Sequence, residues 1–237
     1  MTDKVIVRSL VDEDVREAAL LHRVVLDMEF LSRLGPAFMR AYYRAWIEAP
    51  GSISLAALDD DGHVLGVLLG ASYPATHVRA MIRRRGFGLG LKLMAYASVR
   101  PRLAKDLFVT RSRRYARGVT RLVMARFASS SKPQIQRAES VVGEITHVLV
   151  RPEEQGKGVG RALLDAAVTA ARFVGVQELV LVTPPDLGAR HFYESLGWHA
   201  EGAMQSRSGE NFLRFRFNVG DGGPDDPGPT NGDASSH

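Results

Sequence analysis

The stretch EEQGKGVGRALL (153–164) places Gly156, Gly158 and Gly160 at alternate positions, between the apolar run VVGEITHVLV (141–150) and an apolar helical pattern. A strand that stops at Pro152 must therefore pass through a nearly bare loop into a helix. The first-turn N–H groups of that helix have no partner inside it, and the helix dipole adds positive potential, so strand end, loop and helix start together form an anion site. Glycines let phosphate oxygens reach the main chain without a Cβ in the way. A loop that simply needs positive φ is the plainer alternative, and the glycines alone do not separate the two.

Elimination narrows the phosphate ligand. A P-loop requires GxxxxGK followed by Ser or Thr, and the chain has no such run. A dinucleotide fingerprint requires GxGxxG, but its third glycine falls on Arg161 or Leu163. GFGLG (86–90) follows a basic helical run and not a strand, and reads as a break between helices.

The flanking sequence alternates strand and helix signals. KVIVRSL (4–10) reads as a strand, with Asp12 and Asp14 as candidate N-caps of a helix through Leu20, Leu21, Val24 and Val25. Pro36 suits the first turn of a second helix with Phe38, Ala41, Tyr42, Ala45 and Trp46 on its apolar face. SISLAAL (52–58), DDDG (59–62) and HVLGVLLGAS (63–72) read as a hairpin. After the glycine loop, Leu163, Ala166, Ala167, Ala170, Phe173 and Val174 predict an inward helix face, with Gly175 as C-cap. ELVLVT (178–183) reads as a strand buried on both faces, Asp186 as the cap of a helix closed by Gly197, and WHAEGAMQ and ENFLRFRFNV as two last strands. The Gly/Pro/Asp-rich 220–237 cannot pack a core and is expected to be a disordered tail.

Composition excludes several chemistries. The 237 residues contain no cysteine, which removes disulfides, thiolate metal sites and a cysteine nucleophile. The seven histidines show no ligand spacing, so no metal is expected. The opening MTDKVIVRSLVDED lacks the apolar core of a secretory leader, and no run approaches the roughly 20 apolar residues that span a bilayer. A cytoplasmic protein is the expectation. The net charge of +5 is unevenly distributed: residues 77–137 hold 16 Lys and Arg against Asp106 alone. That segment points to an anionic partner.

At this level of detail QGKGVG resembles the Gln/Arg-x-x-Gly-x-Gly/Ala signature of the GNAT superfamily of N-acetyltransferases, with Gln155, Gly158 and Gly160 on its defined positions. FYESLGW (192–198) is similar to that family's Phe-Tyr-x-x-x-Gly-aromatic segment. The likeness is loose over 4–70 and good over 141–219. It implies an α/β fold with a mixed, mostly antiparallel sheet flanked by helices and an acetyltransferase domain over 1–219; the long basic, mainly helical insertion (77–137) between the third and fourth strands is where the chain departs most from the family, which has a short connection there. The likeness also implies acetyl-CoA as cosubstrate. Main-chain N–H groups of Gly156, Lys157, Gly158, Val159, Gly160 and Arg161 would hold the pyrophosphate, with side-chain charge from Lys157 and Arg161. The main chain of Val148, Leu149 and Val150 would pair with the pantetheine arm, which requires a splay between the two central strands.

The resemblance also assigns chemistry. Glu144 stands where histone-acetylating members carry a glutamate base; it is read as base or as a substrate-binding or structural carboxylate, because a carboxylate inside an apolar strand is costly unless used. Tyr193 stands where many members place a tyrosine that protonates the leaving thiolate or hydrogen-bonds its sulfur; the alternative is packing beside Phe192. Asp186 replaces the family's usual asparagine and reads better as an N-cap. Strict alternation sets Glu144, Thr146, Val148 and Val150 on one strand face and Ile145, His147 and Leu149 on the other, so that His147 points away from Glu144. Asp27 and Glu29 are further candidates for holding the substrate amine.

The expected activity is direct acetyl transfer from acetyl-CoA to a primary amine of a small acceptor. A CoA-binding sensor, or an anion- or membrane-surface-binding module on the same scaffold, is the alternative. For the insertion three readings stand: a lid over an anionic substrate such as a nucleotide-linked amino sugar, a peripheral surface for acidic lipids or nucleic acid, and a structural cover. Its basic runs lack the stacking aromatics of an RNA-binding motif, which disfavours nucleic acid. A homodimer is left open.

Overall fold

The computed structural model describes residues 5–27, 31–98, 141–185, 187–205 and 211–220. The rest of the insertion beyond 98, Glu29, Asp186 and the tail after Gly220 lie outside the described residues, and so do the expectations placed on them.

Seven strands form one sheet: β1 (Ile6–Ser9), β2 (Ser52–Leu58), β3 (Val64–Ala71), β4 (Val142–Val150), β5 (Glu178–Thr183), β6 (His199–Gln205) and β7 (Asn211–Asn218), in the order β1-β2-β3-β4-β5-β7-β6. Only the β4–β5 pair is parallel. β2 and β3 read as unbroken apolar runs because both sheet faces are covered there, and β3 is buried along its whole length. Their turn is fixed by Asp59, whose Oδ1 accepts the main-chain N–H of Asp61 (3.1 Å) and His63 (2.7 Å).

Helices α1 (Val15–Val25), α2 (Pro36–Ile47) and α3 (Pro74–Ser98) cover one face. Leu21, Leu34, Met39 and Tyr43 close over Val67, Leu69 and Leu149 there. Pro36 begins α2 as expected, after Gly35 at φ +85°. Asp14 does not cap α1 through its side chain. It is buried instead under Arg8 (2.6 and 2.8 Å) and also accepts the Val11 N–H (3.0 Å), so it ties β1 to the entry of α1.

Helix α3 corrects a second expectation: GFGLG does not break it. The helix runs through Gly86, Gly88 and Gly90, two of which face open space. Met81, Leu89, Leu93 and Tyr96 pack against the α1–α2 core, and His77 donates Nδ1–H to Pro50 O (3.2 Å) beside the Trp46 ring. Anchors at both ends outweigh the roughly 1 kcal/mol that each helical glycine costs relative to alanine.

Helices α4 (Val159–Phe173) and α5 (Leu187–Ser195) lie on the opposite face. α4 buries Leu163, Leu164, Ala167 and Ala171; each leucine taken out of water contributes about 1.5–3 kcal/mol. Phe173, expected to point inward, is 91% exposed and Val174 is exposed too. Phe173 lies two residues, or about 200° of rotation, past Ala171 and therefore on the far side of the helix. β5 is also less buried than its composition suggests: Leu179 and Leu181 face the α4 core, while Val182 on the other face is exposed. No β5, β6 or β7 residue belongs to the cluster under α1 and α2, so half of that sheet face is bare among the described residues.

Candidate active site

The site begins with an irregularity in β4. Leu69 pairs with His147 and Gly70 with Ile145, which leaves Thr146 as a surplus residue. Such a bulge bends its strand and increases the local twist. The parallel ladder to β5 covers Val142–Ile145 against Glu178–Leu181 and ends at this bulge, whereas β4 stays paired to β3 as far as Val150. The central strands therefore part from Thr146 onward, which is the splay that a pantetheine-binding slot requires. Val148 and Val150 turn half-buried side chains toward α4, and Leu149 is buried under α1 and α2. The β5-side main chain of this segment is left to face the gap.

The glycine loop closes one end of the gap. Gly156 (φ +78°) and Gly158 (φ +89°) are left-handed, and a Cβ at either would meet nothing within 4 Å. Their requirement is backbone conformation, not space. Gly160 differs: it lies within α4, and a Cβ there would come within 3.3 Å of Phe192 Cζ and 3.6 Å of Val150. The helical ladder opens with Ala162 N–H to Gly158 O (3.0 Å), so the N–H groups of Val159, Gly160 and Arg161 precede it and point out of the helix start. Gln155, predicted from the signature, reaches back to Val150 O (3.4 Å) and ties loop to strand. Lys157 and Arg161 are exposed, beside Glu154 (3.1 Å) and Asp165 (3.8 Å) respectively.

Glu144 sits on the last turns of the paired ladder, opposite Ala71 and Val180. Burial pushes its carboxyl above the usual carboxylate range, opposed by the charges of Arg214 and His147. The bulge also overturns the expected placement of His147. By skipping Thr146, the register puts His147 opposite Leu69 and Glu144 opposite Ala71, and both partners belong to the α1–α2 face. His147 thus shares a face with Glu144. Its ring lies 4.8 Å from that of His22, whose Nδ1 is 3.1 Å from the Tyr43 hydroxyl.

Tyr193 lies on the other side of the sheet, with its ring against Phe192, Phe215 and Trp198 at 5.2, 5.2 and 6.1 Å. Burial pushes its phenol up to about 12. Glu144 and Tyr193 therefore lie on opposite faces of the sheet. Asp27 is exposed in the turn after α1 and joins none of these residues.

Residues 23–198, well over half of the chain, match the profile described as the acetyltransferase (GNAT) family. The chain belongs to the GNAT acetyltransferase family. Mycothiol acetyltransferase of Thermobispora bispora is 39% identical over 66 residues, a match that spans 27% of this chain and 22% of that protein. Among solved structures, a GNAT superfamily phosphinothricin acetyltransferase from Sinorhizobium meliloti, in complex with AcCoA, superposes with a TM-score of 0.55 at 18% identity, covering 98% of this chain and 95% of that one. A spermidine N-acetyltransferase from Vibrio cholerae gives 0.54 at 13% identity, covering 91% and 94%. At such identities these structures establish the shared fold alone.

Sequence reading missed a charged ladder on the bare half of the sheet. Arg216 pairs with Glu178 and with Glu201 (2.5 Å), and Arg214 pairs with the other oxygen of Glu201 (2.7 Å). The signal was present in NFLRFRFN, where two arginines alternate with aromatics on one strand. Among the described residues, no group of three or more His, Asp or Glu could hold a metal, and no helix is long and apolar enough to cross a membrane.

Proposed function

We propose that the chain transfers an acetyl group from acetyl-CoA directly to a primary amine of a small acceptor. The observation that carries this reading is the coincidence of three features: the β4–β5 gap, the free N–H groups of Val159, Gly160 and Arg161 at one end of it, and a half-buried Glu144 at its start. In this reading the pyrophosphate lies over Gly156 to Arg161, and the main chain of Val148, Leu149 and Val150 pairs with the pantetheine arm. The match to mycothiol acetyltransferase covers too little of the chain to carry an acceptor over.

The amine must be neutral to attack. Glu144, directly or through water, accepts its proton as the new C–N bond forms and the C–S bond breaks. Tyr193 faces the departing sulfur. With a phenol near 12 and a free thiol near 8.5, full proton transfer from Tyr193 is uphill. A hydrogen bond from its hydroxyl to the thiolate is the favoured role, and water supplies the final proton. His147, beside Glu144 on the same face, contributes charge to the carboxylate's surroundings.

Calorimetric titration with acetyl-CoA and CoA tests the cradle, with Gly158→Val as the control. Binding of both, lost in the variant, supports the assignment; binding of neither removes it. A CoA sensor on the same scaffold would bind both and acetylate no amine. Loss of turnover in Glu144→Gln with CoA affinity retained therefore discriminates catalyst from sensor.

A further inference from the structure

The half-face of the sheet that no helix among the described residues covers borders the proposed site directly. Val180 pairs with Glu144 on one side and with Arg216 on the other, and Val182, the first outward β5 residue past the split, pairs with Arg214. Glu144 and Arg214 therefore flank the opening from its two banks, on the same face. Two strand spacings across and two residues along put their Cα atoms about 12 Å apart.

The two arginines of the ladder are not equivalent. Arg216 is held between two carboxylates, Glu178 and Glu201. Among the described carboxylates Arg214 pairs with Glu201, its Nε lying 2.7 Å from Oε2. Its side chain is 35% exposed, and its charge reaches Glu144. A partly exposed guanidinium, with its planar fork of N–H donors, is suited to a planar or tetrahedral oxyanion.

We propose that Arg214 binds an oxyanion of the acceptor, so that the acceptor is a small primary amine that also carries a carboxylate or a phosphate. The amine lies toward Glu144 and the oxyanion toward Arg214. This inference rests on the acetyltransferase reading above and adds the acceptor's chemical class to it.

The test uses matched pairs on the full chain with acetyl-CoA: lysine against cadaverine for a carboxylate, and glucosamine 6-phosphate against glucosamine for a phosphate. The expected result is a preference of roughly 10- to 100-fold in kcat/KM for the oxyanion-bearing member of at least one pair, as one charge-assisted contact provides. That ratio should collapse toward one in Arg214→Gln and return in part in Arg214→Lys. The pair that shows the preference identifies the oxyanion. Calorimetric titration of the four compounds into the CoA-loaded protein provides a second readout that needs no turnover, with the same preference expected. Equal handling within both pairs, or a preference that survives Arg214→Gln, overturns the inference. So does failure of both oxyanion-bearing members to bind and react. Failure to bind acetyl-CoA instead removes the acetyltransferase reading itself, whereas acetylation of the plain amines without preference removes only the role of Arg214.

Discussion

The three loop glycines have separable roles, and substitution to alanine should distinguish them. At Gly158 the backbone is left-handed (φ +89°) and a Cβ would meet nothing. Gly158→Ala therefore adds no clash, and its cost is the left-handed conformation alone, about 1–2 kcal/mol. At 2–4 °C per kcal/mol for a chain of this size, Tm should fall by roughly 2–8 °C. Relaxation toward negative φ would also turn the N–H groups ahead of α4, so CoA affinity should fall alongside. At Gly160 the backbone is helical and the added methyl comes within 3.3 Å of the Phe192 ring edge. A helix-propensity gain of at most about 1 kcal/mol then opposes a few tenths of an ångström of ring displacement, and the net change in Tm should be near zero. Thermal melts and CoA titrations of the two variants, run side by side, check the contrast. If Gly160→Ala proved the damaging substitution and Gly158→Ala the silent one, the conformational account of the loop would be wrong.

Other perturbations follow from the same geometry. Glu144→Gln should lower kcat by about 10²–10⁴ while raising Tm at neutral pH, since it removes a charge that burial disfavours. The sign follows from linkage: a carboxyl whose folded pKa is raised contributes stability in full below its unfolded value, and that contribution is lost as pH rises through the folded value. The variant should lack this loss in melts across the acidic range. Tyr193→Phe should reduce kcat by about 10- to 100-fold with CoA affinity kept, one hydrogen bond to a charged sulfur being lost. Its phenol, raised to about 12, also predicts wild-type stability that declines between pH 10 and 12, a decline that Tyr193→Phe should blunt in alkaline melts. Trp46→Phe deletes the indole N–H bond to Gly70 O (3.2 Å) beside the bulge and should cost about 1 kcal/mol or more, read by chemical denaturation.

Much of this architecture was legible from periodicity. The β2–β3 hairpin, Pro36 at the start of α2, the strand before the glycine loop and the helix after it all stand where the sequence puts them, because local chemistry and burial agree there. The departures share a cause, which is that tertiary contacts are invisible to a local pattern. GFGLG looks like a helix breaker, yet α3 is held by packing on both sides of its glycines. Phe173 looks like a core residue, yet the inward stripe of α4 has rotated past it. The apolar ELVLVT suggests burial on two faces, but no helix among the described residues covers the second face. The candidate site divides in the same way. The glycine loop ahead of α4 was readable from spacing, while the neighbourhood of Glu144 with His147 depends on a skipped residue that alternation cannot reveal. Arg214 matters only through the strands it lies beside, so nothing local singled it out.

Thr146 shows how little material an opening in a sheet requires. Without it, the pairs Leu69–His147 and Gly70–Ile145 would be consecutive rungs, and every side chain of β4 would keep its present face. The surplus residue thus leaves the lining of the site unaltered. What it changes is the path of the strand, and with that path whether the sheet is a closed wall or has a doorway. The capacity to admit a cosubstrate is, on this view, a property of chain length at one position, carried by a residue that need not touch the ligand.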